Sequence, residues 1–265
     1  MKLDLKYGSG TRTLTLADQY EVDVIQPGVS TAEAVTTDKI IQVIHNPIKS
    51  TCLSACQDVK SVAIAINDKT RPVRYDLLLP PLLEILHQEL NSDIEITLFI
   101  ASGTHTPMSV KECAQIIPGY IFEKYPIHVH DCDNIENQSF LGITTRGTPV
   151  YVNTQFYMSE LKIVVGNIEP HHFMGFSGGV KTAAIGLASR VTINKNHEML
   201  LTDKNTIIGQ YELNPMRMDV EEIGEMIGID YALNAIQTVD KTLLDVYFGP
   251  PQAVMLAAID VVRSN

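Results

Sequence analysis

The sequence predicts an α/β fold with a mostly parallel sheet and helices on both faces. Two observations carry this. Short runs of β-branched and apolar residues recur, as in 61–67 (SVAIAIN), 94–101 (IEITLFIA) and 161–168 (LKIVVGNI). Strands without polar alternation are covered on both faces. Helical stretches follow these runs, and that alternation builds parallel sheets through crossover helices. The expectation is a Rossmann-like sheet with a small β extension at the N-terminus.

In chain order, 2–7 and 13–16 alternate polar and apolar residues with period two, like an edge hairpin or β extension. Residues 61–67 are a strand, followed by a helix over 72–90 interrupted at Pro80-Pro81. A strand over 94–101, a helix over 109–117 and a short strand over 127–130 come next. Then follow a strand over 161–168 and helices over 179–189 and 214–227, the latter with acids near its start. Strands over 231–239 and 243–248 and a helix over 250–263 complete the pattern. No Ser/Pro/Gly linker, charge block or internal repeat divides the chain, so 1–265 reads as one α/β domain.

Composition narrows the function. With 265 residues, 45% of them hydrophobic, the chain can bury a sizeable core. Thirty-one acids against 20 bases give a formal charge of −11, which disfavours non-specific binding to nucleic acid or anionic membrane. No apolar run approaches the ~18 residues of a membrane span, and the N-terminus lacks the apolar region of a signal peptide. Four cysteines in a chain this long, two of them spaced CxxxC at Cys52 and Cys56, are not a disulfide framework. A cytoplasmic protein with free thiols is expected.

Chemistry concentrates at three predicted strand ends. Open α/β sheets bind ligands beyond the carboxyl ends of their strands. Here those ends run into Asn67-Asp68-Lys69-Thr70-Arg71-Pro72, Ala101-Ser102-Gly103-Thr104-His105, and Asn167-Ile168-Glu169-Pro170-His171-His172 followed by Gly175 to Lys181. Parallel strands place all three loops along one edge.

The segment Gly175 to Thr182 approaches the phosphate-loop pattern, but Val180 stands where that pattern needs glycine. It fits a turn offering backbone N–H groups and Lys181 to a single anion, or a plain strand-to-helix turn. Gly8-Ser9-Gly10 lacks the third glycine and following helix of a dinucleotide fingerprint and is set aside. His128-Val129-His130-Asp131-Cys132-Asp133 invites a metal reading, but its spacing matches no closed zinc pattern; a strand leaving the core into a polar turn is preferred. His45 and His87 read as plain helix residues. Pro72 suits the first turn of a helix, which puts Arg71 at that helix's N-terminus. There it either grips a carboxylate or phosphate, or is solvated beside a cap made by Asp68 or Thr70. His197, in Asn194-Lys195-Asn196-His197, is expected at a helix start.

Taken together, DxTRP (68–72), SGTH (102–105), EPHxxxGxSGGxK (169–181), Asn196-His197 and NPxRxDxEEI (214–223) resemble the lactate racemase family of nickel-dependent 2-hydroxyacid racemases and epimerases. The resemblance runs through most of the chain, with the motifs in family order. It implies a nickel-pincer nucleotide, a pyridinium mononucleotide holding nickel through sulfur and carbon, tethered covalently to Lys181. It implies His197 as nickel ligand, His105 and His171 as acid/base groups on opposite faces of the substrate, and Arg71 as holder of the substrate carboxylate. Asp68, Lys69, Thr70 and Arg71 would contact the cofactor. The implied reaction removes a hydride from C2 while a histidine takes the hydroxyl proton, then returns both from the other face. Histidine suits this because its ordinary pKa of about 6.5 lets it act as acid or base near neutrality.

Two departures accompany the resemblance. Thr106 stands where members often have arginine. Two-domain members carry a second domain that adds a lysine and a glutamine to the substrate site; this chain stops at Asn265, and that domain is expected to be absent. A second domain or a homo-oligomeric partner would then complete the cleft. The competing readings are a phosphate- or nucleotide-binding transferase built on 175–182, and a non-catalytic cofactor-binding module that needs a partner domain.

Overall fold

The computed structural model describes residues 1–8, 10–24, 33–90, 93–201 and 203–264; Ser9 of the Gly8-Ser9-Gly10 segment lies outside them. The described residues divide into two compact units, one within 1–29 and one within 30–264. In the first, β1 (Lys2–Tyr7) pairs antiparallel with β2 (Gly10–Thr15), Lys2 facing Thr15. The expected N-terminal hairpin is therefore present as a two-stranded sheet of its own, with the Thr13 hydroxyl donating to Asp4 across it at 2.6 Å.

The second unit opens with α1 (Thr37–His45), β3 (Ser61–Asn67), α2 (Tyr75–Glu89), β4 (Glu95–Ala101), α3 (Val110–Ile116), α4 (Gly119–Lys124) and β5 (Ile127–Val129). A hairpin of β6 (Gln138–Ile143) and β7 (Pro149–Asn153) follows, then α5 (Thr154–Met158) and β8 (Leu161–Asn167). Two-residue strands β9 (Pro170–His171) and β10 (Gly175–Phe176) precede α6 (Lys181–Ala184), α7 (Arg190–His197), α8 (Pro215–Ile227), β11 (Tyr231–Gln237), β12 (Leu243–Gly249) and α9 (Pro251–Ser264).

The central sheet has the order β12-β11-β8-β3-β4-β5. Every pair is parallel except β11–β12, which a short turn joins antiparallel. Period-two alternation divides β3 between two cores. Val62, Ile64 and Ile66 meet α1 and α2 through Ile40, Leu78 and Leu82, whereas Ala63 and Ala65 belong with Phe156, Met216 and Met255 on the other side. The small residues on that second face let α6 come close: a Cβ on Gly166 would stand 3.3 Å from Thr182 Oγ1.

Four local expectations need correction. Helix α2 starts at Tyr75, not Pro72, so Arg71 lies in the loop before it and Arg74 is its N-cap. Pro80 and Pro81 sit inside α2 without interrupting it, because Leu78, Leu79, Leu82, Leu83, Ile85 and Leu86 bury the helix on the sheet. Tertiary packing overrides the local penalty of lost N–H donors. The helix expected over 179–189 is only the four-residue α6. At Gly186 the chain packs against the end of β4, where a Cβ would stand 2.5 Å from that of Ala101. A separate helix, α7, begins after the Ser189 N-cap, so His197 is its last residue, not its first.

Candidate active site

Neighbours β3, β4 and β8 end side by side, and their loops enclose a cavity of about 280 Å³. Asp68, Arg71, Ser102, His105, Asn167, His171, Phe173, Lys181 and His197 are among the residues that line it. Amino acids spread over 130 positions thus meet at the carboxyl edge of a parallel sheet. Thr70 does not line the cavity but hydrogen-bonds Asp68, which does. Lys69 is outside the cavity, where its ammonium pairs with Glu112 at the start of α3.

Asp68 is buried and Oδ2 lies 2.7 Å from His105 Nδ1. Its other oxygen accepts from the amide and hydroxyl of Thr70 at 3.0 and 2.6 Å. The carboxylate is thereby held in one orientation. It accepts a hydrogen bond from Nδ1–H, which orients the ring and directs Nε2 away from Asp68. Behind it, the phenol oxygen of buried Tyr75 accepts the Asn67 amide at 2.7 Å, anchoring the end of β3.

His171, in β9 of the third loop, is buried. Arg71 Nη2 stands 3.1 Å from its Nε2, and the Met174 amide 3.3 Å from its Nδ1. Burial, then the charges of Lys181 and Arg71, push its pKa down to about 3. The Arg71 guanidinium also reaches Glu169, with Nη1 3.5 Å from Oε1. Glu169 itself is held by Asn167 Nδ2 at 2.9 Å.

Lys181 is half-buried at the head of α6. Burial, then the Arg71 and Arg217 guanidinia, lower its pKa to about 7; Glu169 opposes the shift. The lowered value gives the amine a larger unprotonated, nucleophilic fraction near neutral pH than an ordinary lysine has. His197 donates Nδ1–H to the Ile193 carbonyl at 2.8 Å, which leaves Nε2 free as a metal-type ligand. Burial lowers its pKa, with a further contribution from Lys181. The Phe173 ring packs edge-on against both His171 and His197, with centroids 4.7 and 5.4 Å away. Ser102 is buried on the wall of the cavity, and its Oγ has no hydrogen-bond partner among the described residues.

The glycine-rich turn faces inward. Gly179 N–H donates to Asn234 Oδ1 at 2.7 Å and Ser177 N–H to Glu169 O at 2.9 Å, so these two amides are not presented to an anion. Gly178 has φ of 82°, and a Cβ there would stand 2.6 Å from Ile168 Cγ1. Glycine is required by close packing as much as by conformation.

Beneath the turn lies a buried polar layer that motif reading quoted without assigning roles. Arg217, on α8, donates to the carbonyls of Phe176 and Gly178 and pairs with Glu221 at 2.6 Å. Asn214 caps α8 and donates to the Phe173 carbonyl at 2.8 Å. Asp219 accepts from Thr144, Thr148 and Asn196, the residue before His197. One helix thus fastens the Phe173 loop, the glycine turn and the end of α7. The sequence signal was an arginine and an aspartate on the apolar side of an otherwise amphipathic helix.

Outside the cavity, the 128–133 segment is occupied by ordinary partners. His128 bonds Gln155, His130 bonds the Ala188 carbonyl, and both Asp133 oxygens take Arg190. Asp131, Cys132 and Asp133 place ligand atoms within 4.8 Å of one another. The four cysteines are free, and among the described residues no helix is long and apolar enough to cross a membrane.

Fold and cavity define the class: an α/β protein in which a lysine, an arginine and three histidines line one cavity at the carboxyl ends of parallel strands. A family model described as the lactate racemase N-terminal domain matches residues 7–209. The chain is 25% identical over 264 residues to the lactate racemase of Thermoanaerobacterium thermosaccharolyticum, covering 98% of this chain and 62% of that protein. The lactate racemase of Lactiplantibacillus plantarum is 25% identical over 265 residues, with the same coverage. The structure of the T. thermosaccharolyticum lactate racemase apoprotein matches with a TM-score of 0.86, over 98% of this chain and 62% of that one. A Thermotoga maritima protein of 22% identity shares the fold at a TM-score of 0.69, over 87% of this chain and 59% of that one. The chain belongs to the lactate racemase N-terminal domain family, and it spans about three fifths of the length of the curated relatives it matches.

Proposed function

We propose that this chain is the cofactor-bearing part of an isomerase that racemises or epimerises a small, lactate-like 2-hydroxy acid. The observation that carries the reading is the meeting of Arg71, His105, His171, Lys181 and His197 around one cavity. The residues fit a tethered nickel-pincer nucleotide on three grounds: an amine with pKa near 7, an imidazole whose Nε2 is left free by the Ile193 contact, and the unpartnered Ser102 hydroxyl on the wall. Lys181 would form the covalent link and His197 Nε2 would complete the coordination of nickel. When bound, that group supplies a hydride acceptor, which no side chain offers.

The protein's own residues do the rest. Arg71 grips the substrate carboxylate and so orients C2. His105, its Nδ1 proton held by Asp68, takes the substrate hydroxyl proton at Nε2; Asp68 stabilises the imidazolium that results. His171 exchanges the corresponding proton for the opposite enantiomer. Phe173 excludes water between His171 and His197.

The test has two parts. The chain is expressed beside a cofactor-maturation system, and its intact mass and nickel content are measured; an adduct on Lys181 with bound nickel is expected. Circular dichroism then follows interconversion of D- and L-lactate, with and without a supplied second domain, because the curated relatives are longer than this chain. Absence of both adduct and racemisation under every condition rejects the proposal.

A further inference from the structure

The contact between Arg71 and His171 has a chemical consequence. A guanidinium has only donors, so at 3.1 Å Nη2 takes the lone pair of His171 Nε2. A neutral imidazole has one lone pair. The Met174 amide donates to Nδ1 at 3.3 Å as well, so both ring nitrogens face donors, and the closer, charged guanidinium is the stronger claimant on the one lone pair. Lys181 and Arg71 both act on the ring as positive charges. In this arrangement His171 has no place for a second proton unless one donor leaves. The Met174 amide is backbone, whereas the Arg71 side chain is partly exposed and shared with Glu169 across a 3.5 Å gap. Arg71 is therefore the donor that can move.

A carboxylate is a stronger partner for a guanidinium than a neutral imidazole is, because the hydrogen bonds are charge-assisted and can be bidentate. We infer that Arg71 is a carboxylate-operated latch: it blocks His171 Nε2 in the free cavity and releases it when the carboxylate of a 2-hydroxy acid draws the guanidinium away. This deepens the reading of Arg71 as carboxylate holder and His171 as acid/base group, and rests on it. Specificity for acids then appears in turnover as well as in binding. A neutral analogue such as lactamide leaves the base covered even when it occupies the cavity. Glu169 restrains the latch by competing with the ligand for the same guanidinium.

The experiment is nitrogen NMR of the full chain with ring-labelled histidine, His171 being assigned by the signal lost in His171→Gln. An unprotonated ring nitrogen moves downfield when it loses a charge-assisted hydrogen bond. Arg71→Met should move the His171 Nε2 signal downfield without any ligand. Lactate should produce the same displacement in the unmodified chain, acetate should do so at higher concentration, and lactamide should not. Glu169→Gln should lower the acetate concentration needed at least several-fold. A His171 signal unmoved by Arg71→Met, or unmoved by both carboxylates, overturns the latch. The 2-hydroxy acid reading fails separately if lactate acts no more tightly than acetate while both still displace the signal.

Discussion

Asp68 Oδ2 lies 2.7 Å from His105 Nδ1, while Asp68 Oδ1 is held by the amide and hydroxyl of Thr70. A carboxylate clamped on one side and pointed at an imidazole on the other sets both the tautomer and the direction of the ring. Asp68→Asn keeps the shape but can present its amide N–H to Nδ1, which favours the wrong tautomer. In the cofactor-loaded protein, racemisation should fall by about 10² or more, mostly in kcat. Steady-state assay of both lactate enantiomers measures this, and a loss confined to KM would contradict it.

Lys181 sits in a cationic, half-buried site with its pKa lowered to about 7. The unfolded chain holds that proton up to its ordinary value of 10.5. Between these values the unfolded state binds more protons, so Lys181 destabilises the apoprotein most below pH 7 and progressively less as pH rises toward 10.5. Lys181→Met should therefore stabilise the apoprotein at pH 7, by about 0.5–2 kcal/mol, while abolishing cofactor attachment. Denaturant unfolding and intact mass give the two readings.

His171 is buried neutral, with a folded pKa of about 3 against 6.5 unfolded. Between pH 6.5 and about 3 the unfolded state takes up the proton and the folded state does not. Stability is lost as pH falls through that window and unaffected above it. Urea midpoints at pH 7 and pH 5 should differ less in His171→Gln than in the unsubstituted chain.

His197 Nε2 is the free ring nitrogen of a histidine oriented by Ile193. His197→Ala should leave the Lys181 adduct detectable by mass but reduce retained nickel to background after desalting, as measured by elemental analysis. Full nickel retention would remove His197 from the metal site.

Arg217 is fully buried and pairs with Glu221 while holding the Phe176 and Gly178 carbonyls. Arg217→Met leaves those acceptors unsatisfied and should cost about 3–5 kcal/mol of stability. A thermal scan that moved little would show that the turn is held by Asn234 alone.

The sequence alone determined the kind of sheet and the edge where chemistry collects. Short β-branched runs such as 61–67 and 161–167 read as strands covered on both sides, and parallel strands put their C-terminal loops together. The motifs, through the family they resemble, were enough to single out Arg71, His105, His171, Lys181 and His197 as candidates. Only the tertiary structure decided where helices begin and end around those residues. Pro80 and Pro81 remain helical because buried leucines outweigh two missing donors, and α6 is only four residues long, with Gly186 beyond its end packed where a Cβ would meet Thr182 O and Ala101. The partners of the reactive groups were equally invisible in the sequence: Asp68 for His105, Ile193 for His197, and Arg217 and Asp219 beneath the turn. Residue identity sets what a group can do; its pairing and orientation follow from which distant segments are packed against it.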